Sequence, residues 1–349
     1  MKSEGRWLNY SESGTWSEFL AKLGMDVDVY FKPEYIQLYE KPDCAPTCFV
    51  YQEYEQLFIH SFLVQGIPQA PGILDISSAY GYGGPLSNSD DRGFILRSHQ
   101  EFTRQAKDKG IVAAVTKFHP LLKNHLLFPE TGQSHRISVC PTVYVDLTID
   151  EPLRWEKIYS HANRKNINKA KRLGLEIIFS KDPKALIPFR SLYEETMKAN
   201  NADSSYFFNE SLFRRLVDNL PKEFVVISAV DGKEIISSMI VLLGRRWAHC
   251  HLIGTKRDAL TKGTNNLLHH QLILWLKENR FESLHIGGGR GNLEDDPLLK
   301  FKKNFSNLTA QFFIGESIID SDKYSELCRK WEKDKPNSPH KHKVLKYRY

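Results

Sequence analysis

The sequence predicts an α/β protein built from two similar halves. Strand-like and helix-like patterns alternate in both halves, in the shared order helix, hairpin, strand, loop, helix, strand. The length of 349 residues also favours two domains, since ordinary domains hold roughly 100–200 residues. The clearest unit, residues 247–305, reads as strand, loop, helix and strand. Such βαβ units bind ligands at strand ends and helix N-termini.

Within this unit, a strand over residues 247–253 leads into Gly254 and Thr255, and a charged loop covers 256–263. Apolar residues at helical spacing predict a helix over 267–280. Thr264 is the predicted N-cap of that helix, because its hydroxyl can accept a bond from a free amide. A strand over 283–286 and a glycine-rich run, 287–291, follow. We therefore expect a ligand near Gly254 and the helix start.

The remaining elements follow the same alternation. In the first half we predict helices over 15–23, 34–40 and 94–109, strands over 47–52, 56–64 and 111–118, and a glycine-rich turn within 75–86. In the second half we predict strands over 141–147, 175–180, 224–230 and 234–243, and helices over 155–173, 183–200 and 209–220. Asp231, Gly232 and Lys233 form a hairpin signal. The predicted domains are 1–150 and 151–320, followed by a basic C-terminal tail, 321–349, of which residues 335–349 are expected to be weakly ordered.

Composition limits the class of protein. Hydrophobic residues make up 41% and charged residues 26%, which is typical of a packed soluble protein. The net charge of +6 fits an anionic partner. The five cysteines lack zinc-ribbon spacing and suggest reduced thiols. With no signal-peptide core and no apolar run long enough to cross a bilayer, a cytoplasmic location is predicted.

Motifs narrow the chemistry without fixing it. The glycine run lacks the dinucleotide fingerprint, and Walker A, nucleophile-elbow and HExxH patterns are missing. The segment 164–172 carries five cations and no acid, which indicates either a solvated helix face or a phosphate contact. Four histidines, at 249, 251, 269 and 270, lack the acidic or cysteine partners of a metal site, so no metal is predicted. His251 is either a general base or a packed core residue.

Several segments carry a resemblance to a known family. Residues 164–170 with 174–177, residues 251–255, the helix from Asn265 and residues 301–305 are similar to the second domain of Fem-type peptidoglycan-bridge aminoacyltransferases. Residues 31–35 and 80–85 fit the first domain of that group, the tandem GNAT proteins of cell-envelope polysaccharide pathways. The chain departs from the group in two places. It has no long coiled-coil arm, and it lacks the Gln/Arg-x-x-Gly-x-Gly/Ala loop that cradles coenzyme A pyrophosphate in ordinary GNAT enzymes.

The resemblance implies two GNAT-like domains in tandem and acyl transfer to an amine. It suggests Lys302 as a catalytic residue, a partner of the oxyanion. His251 is a second catalytic candidate, from the residue pattern and not from the resemblance. The expected acceptor-binding residues are Lys32, Tyr80, Tyr82, Arg164 and Lys165. The expected donor-binding residues are Gly254, Thr255, Lys262, Gly263, Thr264, Asn265 and Asn266, where free amides at a helix start can hold an anion.

The resemblance also defines the expected partners. The donor is an acyl-CoA or an aminoacyl-tRNA, used as a substrate and not as a tightly bound cofactor. The acceptor is a phosphate-bearing envelope precursor: a sugar nucleotide, a glycan or a peptidoglycan peptide. Peripheral membrane contact and the oligomeric state are left open. The competing hypothesis is a non-catalytic nucleic-acid- or glycan-binding protein on the same scaffold.

Overall fold

The computed structural model describes residues 4–290 and 295–349. Gly291, the last residue of the glycine-rich run, lies outside the described residues. The chain divides into two compact units. Unit 1 comprises Met1–Val139 with Gln311–Tyr349, and unit 2 comprises Cys140–Ala310.

The secondary structure of the described residues alternates as the sequence predicts. The strands are β1 (Glu4–Asn9), β2 (Cys44–Glu53), β3 (Gln56–Gly66), β4 (Leu74–Ser77), β5 (Gly84–Ser87), β6 (Ile111–Lys117), β7 (Ser134–Asp146), β8 (Glu176–Ser180), β9 (Phe224–Asp231), β10 (Glu234–Leu243), β11 (Trp247–Thr255), β12 (Ser283–Gly288) and β13 (Thr309–Ile318). The helices are α1 (Ser13–Lys22), α2 (Pro33–Gln37), α3 (Arg92–Asp108), α4 (Glu151–Leu153), α5 (His161–Arg172), α6 (Leu186–Ala199), α7 (Glu210–Asn219), α8 (Thr264–Glu278), α9 (Pro297–Lys303) and α10 (Ser321–Asp334).

Unit 1 is a sheet covered by helices. Its strands are hydrogen-bonded in the order β1-β2-β3-β4-β6-β13, and β5 pairs with β3. The β2–β3 hairpin is antiparallel, whereas β4 and β6 are parallel and are joined through α3. Phe94 and Phe102 of α3 pack on Phe49, Phe58 and Phe62 of the hairpin, so the helix lies over this part of the sheet.

Unit 2 repeats this plan. Its strands follow the order β7-β12-β11-β10-β9-β8, with the hairpin β9–β10 followed by β11, α8 and β12. Leu268, Leu272 and Leu276 of α8 recur every four residues and are fully buried in the core. The predicted hairpin at Asp231 to Lys233 is present, and Gly232 has the positive φ that this turn requires.

One predicted helix is divided in the structure. The expected helix over 155–173 consists of a π-helical turn, Arg154–Ile158, and the separate helix α5. Tyr159 and Ser160 between them are extended, and the Ser160 side chain caps α5 by accepting a bond from the Asn163 amide at 3.0 Å. Both pieces face the same core, so the apolar periodicity continues across this break. For that reason the sequence pattern gives no sign that a new helix begins after Ser160.

The C-terminal segment is packed against the rest of unit 1, in contrast to the weak order predicted for residues 335–349. Residues 321–334 form α10, and Leu327 and Trp331 pack with Tyr347 against Val112 of β6. The Arg348 guanidinium also donates to the buried Asp75 carboxylate at 2.6 and 2.7 Å. β13 carries the chain from unit 2 back into unit 1, so the units are not consecutive in sequence as a border near 150 assumes.

Among the described helices, none combines the length and the hydropathy needed to cross a membrane.

Candidate functional site

The central feature of unit 2 is a gap between two parallel strands. β11 and β12 pair only at Trp247 to His249 with Ser283 to His285. Within the described residues the pairing ends there, while β11 continues to Thr255 and β12 to Gly288. Because strand amides and carbonyls require partners, the edge of β11 beyond His249 is a candidate position for a ligand.

A β-bulge places His251 at the start of this gap. β10 and β11 shift register so that Ile240 pairs with Leu252 and Val241 with Cys250, which leaves His251 as the extra residue. Bulges redirect side chains and are frequent beside functional sites. Burial, with a smaller contribution from His249, lowers the pKa of His251 to about 3. The imidazole is therefore neutral at physiological pH and is a weak base.

Lys302 lies at the other strand of the gap. Its Nζ donates to the carbonyl oxygen of Gly288, the last residue of β12, at 2.7 Å. Burial lowers the pKa of Lys302 from 10.5 to about 8, while Cys250, Cys140 and Asp296 act in the opposite direction. At pH 7 the half-buried Lys302 side chain is therefore still mostly protonated. The group is thus a cation that gives up its proton more readily than an ordinary lysine.

Asp296 fixes the helix that carries Lys302. Its Oδ1 accepts from the amides of Leu298 and Leu299, at 2.8 and 3.0 Å, and caps α9. Its Oδ2 accepts from the Arg290 amide at 2.6 Å, which ties the same helix to the residues after β12. The side chain is only 5% exposed. Both ends of α9 are therefore connected to the end of β12, the N-terminal end through Asp296 and the C-terminal end through Lys302.

The predicted donor-binding residues of β11 and α8 form a closed polar network. The Asn265 Oδ1 accepts from the hydroxyls of Ser237 and Thr255, both at 3.0 Å. The Thr255 amide donates to the Thr196 hydroxyl at 2.9 Å. Gly254 permits this arrangement, because a Cβ there would lie 2.4 Å from the backbone of Leu192 in α6.

The loop before α8 packs against α5. Gly263 occupies the N-cap position with φ +76, and a Cβ there would lie 2.3 Å from the Asn166 carbonyl oxygen. The Thr264 hydroxyl donates to the Ala259 carbonyl at 2.8 Å, so Thr264 is the first helical residue and not the predicted cap. Asn266 donates to Asn163 at 2.8 Å, and Lys262 pairs with Asp231 at 2.8 Å.

The two predicted cations of α5 differ in role. The Arg164 Nη1 donates to the carbonyls of Trp155 and Tyr159, at 2.9 and 2.6 Å. This guanidinium therefore closes the π-helical turn that precedes α5. Lys165 is exposed, so it is accessible to an anionic ligand.

The three remaining predicted residues lie in unit 1. Tyr80 and Tyr82 belong to a cluster of aromatic side chains with Tyr30, Tyr35 and Tyr39. The Tyr35 hydroxyl donates to the Tyr80 carbonyl at 2.6 Å and fixes the turn. Lys32 is half-buried and immediately precedes α2.

Three of the four clustered histidines are packed core residues. His249, His269 and His270 are 0%, 4% and 2% exposed. The His269 Nδ1 is 2.7 Å from the Asn265 carbonyl, to which it donates, and burial lowers the pKa of His269 to about 4. Sequence reasoning missed Asp296. Its position immediately before Pro297 is the cap-plus-proline signature of a helix start and was the available signal.

Comparison with known proteins agrees with this geometry. Residues 160–297 match the family model described as "Acetyltransferase (GNAT) domain". This match covers the β11–α8–β12 gap, and unit 1 repeats the same plan. The chain has the fold of the Fem-like tandem GNAT proteins, and the predicted fold class is confirmed.

Three solved structures illustrate the similarity. FemX is 11% identical with a TM-score of 0.66, covering 93% of this chain and 99% of its own. The C-terminal domain of a putative lysylphosphatidylglycerol synthetase from Agrobacterium fabrum is 14% identical with a TM-score of 0.57, covering 88% and 92%. A tandem GNAT protein from the clavulanic acid biosynthesis pathway is 10% identical with a TM-score of 0.52, covering 90% and 98%. No curated protein sequence matches the chain. Acyl transfer is the general chemistry that the matched GNAT domain supports.

Proposed function

We propose that this protein is an N-acyltransferase that moves an acyl or aminoacyl group from an activated ester or thioester to an amine of a cell-envelope precursor. The observation that carries the proposal is the gap between β11 and β12, with the proton-bearing Lys302 held at its edge. A cation of this kind suits a reaction that develops negative charge on an oxygen.

The proposed chemistry is direct attack. The neutral amine of the acceptor forms a bond to the donor carbonyl carbon, and the bond to the leaving oxygen or sulfur breaks after a tetrahedral oxyanion has formed. Lys302 and backbone amides of β11 donate to that oxyanion. The proton lost from the attacking amine goes to solvent or to the leaving group. His251, with its depressed pKa, is an acceptor of a hydrogen bond in this scheme and not the principal base.

For the acceptor, we propose that exposed cations contact its phosphates. Lys165 is the strongest candidate, because it is exposed on a helix that also carries Lys169, Lys171 and Arg172. Arg164 contributes indirectly, through the turn that it closes. Lys32, Tyr80 and Tyr82 remain candidates for the sugar or peptide part of the acceptor.

The donor is either an acyl-CoA or an aminoacyl-tRNA. The basic composition and the missing pyrophosphate loop favour tRNA. The similar folds are compatible with both donor classes. The description of the clavulanic acid pathway protein names AcCoA, in a form of the protein without it, which is compatible with an acyl-CoA donor. The protein from Agrobacterium fabrum is named for a lysyl lipid, which is compatible with an aminoacyl donor. All five cysteines are free thiols, as is typical of a reducing compartment, so a cytoplasmic reaction is part of this proposal.

The test supplies each donor class separately. Purified protein is incubated with acetyl-CoA or with charged tRNA, each with envelope precursors, and mass added to the acceptor is measured. Product from acetyl-CoA alone excludes the tRNA donor, and ribonuclease-sensitive product excludes acetyl-CoA. Lys302→Ala should abolish most product, whereas Lys303→Ala, the exposed neighbour on the same helix, should not.

The competing function is non-catalytic binding of a nucleic acid, favoured by the exposed cations of α5. Binding through phosphates loses affinity steeply as salt rises, with a slope set by the number of phosphates contacted. A steep slope with no acylated product from either donor would favour that function over acyl transfer.

A further inference from the structure

The parallel strands β4 and β6 of unit 1 end at the same edge of the sheet. Beyond β4 the chain returns to β6, where Gly83 forms a bridge with Phe118. This bridge places Tyr82 beside Lys117, the last residue of β6. In α/β sheets, ligands bind outside the carboxyl ends of the strands. This edge of unit 1 is therefore a position where a ligand is expected.

The Lys117 side chain carries a charge without a counterion. Within residues 4–290 and 295–349, no atom accepts a hydrogen bond from its Nζ and no carboxylate pairs with it. The side chain is half-buried, and burial lowers its pKa from the ordinary value of 10.5. Its Nζ is not one of the unpaired nitrogens that the fold seals from solvent, such as Trp16 Nε1. The ammonium is thus partly desolvated, unpaired and still accessible.

The carboxylates that the strand register places on the same face have other partners. Glu316 of β13 lies on the face that carries Lys117, and its Oε2 is 3.1 Å from the His135 Nε2. Asp75 of β4 accepts from the Arg348 guanidinium at 2.6 and 2.7 Å. Leaving a partly desolvated cation unpaired is unfavourable for a folded chain. An external anion would offset that cost.

Two aromatic rings adjoin the ammonium. Lys117 pairs with Ile314 of β13, and Phe312 lies two residues before Ile314, on the same face. The rings of Phe312 and Tyr82 are 5.4 Å apart in an edge-to-face contact. Both side chains are half-buried. Aromatic side chains provide a large apolar contact area, so this surface combines a positive charge with a place for a ring.

We propose that Lys117 binds the anionic group of a ring-bearing ligand, a phosphate or a carboxylate, while the ring packs on Tyr82 and Phe312. The attraction between the charges is stronger in a partly desolvated position than in water. The proposal does not depend on acyl transfer, because its residues lie in unit 1 and binding involves no chemical step.

The test is calorimetric titration of the full chain with phenyl phosphate, benzoate and benzyl alcohol, at several pH values below 10.5. The anion that binds more tightly identifies the preferred group, and equal affinities show that both are accepted. Binding should take up protons near the lowered pKa, because a bound anion raises the pKa of Lys117. Benzyl alcohol lacks the charge and should bind at least about tenfold more weakly than the better anion. No binding of either anion at millimolar concentration, or equal binding of the alcohol, would overturn the proposal.

A matched pair of variants locates the binding. Lys117→Met keeps the length of the side chain and removes the charge, so it should weaken anion binding at least about tenfold and abolish the proton uptake. Lys123→Met changes an exposed lysine of the same unit and should leave both unaltered. Lys117→Met should also raise the Tm of the free protein, because it removes an unpaired and partly desolvated charge. Equal anion affinities in wild type and Lys117→Met, or a lower Tm for this variant, would refute the inference.

Discussion

Replacing Lys302 by Met tests the proposed mechanism most directly. The substitution keeps the side-chain length and removes the ammonium group that donates to the Gly288 carbonyl. If that group stabilises the oxyanion, kcat should fall by about 10²–10³, the loss usual for one such donor. KM should change little, because the interaction is made chiefly in the transition state.

The same variant has a predicted effect on stability. The pKa of Lys302 is lowered from 10.5 to about 8, and at about 1.4 kcal/mol per unit this corresponds to roughly 3 kcal/mol. Solvent screening of a half-buried group reduces the expected value to about 2 kcal/mol. Between these two pKa values the unfolded chain binds more protons than the folded one, so stability rises with pH.

The assay is denaturant unfolding of wild type and variant at several pH values, together with kcat profiles. The wild-type minus variant difference in unfolding free energy should rise by about 2 kcal/mol between pH 8 and 10.5. The wild type should also lose activity above pH 8 as Lys302 deprotonates. Lys303→Met provides the control for charge. An unchanged kcat with a flat stability difference would remove Lys302 from the mechanism.

Three further predictions concern the surroundings of this residue. Asp296→Ala removes the cap of α9 and should lower the free energy of unfolding by about 1–2 kcal/mol. The kcat should also fall, because α9 carries Lys302. A normal kcat would show that α9 keeps its position without this cap. Lys165→Ala should raise the acceptor KM without lowering the Tm. Arg164→Ala should instead lower the Tm, because the carbonyls of Trp155 and Tyr159 lose their donor. Equal acceptor KM values for wild type and Lys165→Ala would exclude a contact between Lys165 and the acceptor. Gly263→Ala should destabilise by more than about 2 kcal/mol, since it combines positive φ with a backbone clash, and chemical unfolding measures this.

The sequence predicts the fold well where local signals and tertiary structure agree. α8 and the β9–β10 hairpin have strong periodicity and turn residues, and both appear where they are expected. β13 and α10 are harder to place because their partners lie far away in sequence, such as β6 for β13. Local patterns also give no indication that residues after 310 return to unit 1.

The site is predicted in outline only. The family resemblance suggests Lys302 and the residue pattern suggests the end of β11, but the gap depends on where β11 and β12 stop pairing, and pairing is not a local property. Similarly, the bulge at His251 comes from a register shift with β10 that no motif encodes. Depressed pKa values require burial, and burial is known only when the core is assembled.

The polar network at the end of β11 constrains how a donor would bind there. The Asn265 Oδ1 already accepts two hydroxyl bonds, and the Thr255 amide already has the Thr196 hydroxyl as its acceptor. A phosphate could recruit these groups only by breaking bonds that the folded chain satisfies internally, which is costly for buried polar atoms. The first amides of an α-helix have no acceptor within the helix itself. Donor phosphates are therefore better matched to the backbone at the start of α8 than to the side chains of Thr255 and Asn265. Thr255→Val should accordingly lower the Tm while leaving the donor KM within about twofold, and a large rise in donor KM at unchanged Tm would contradict this assignment.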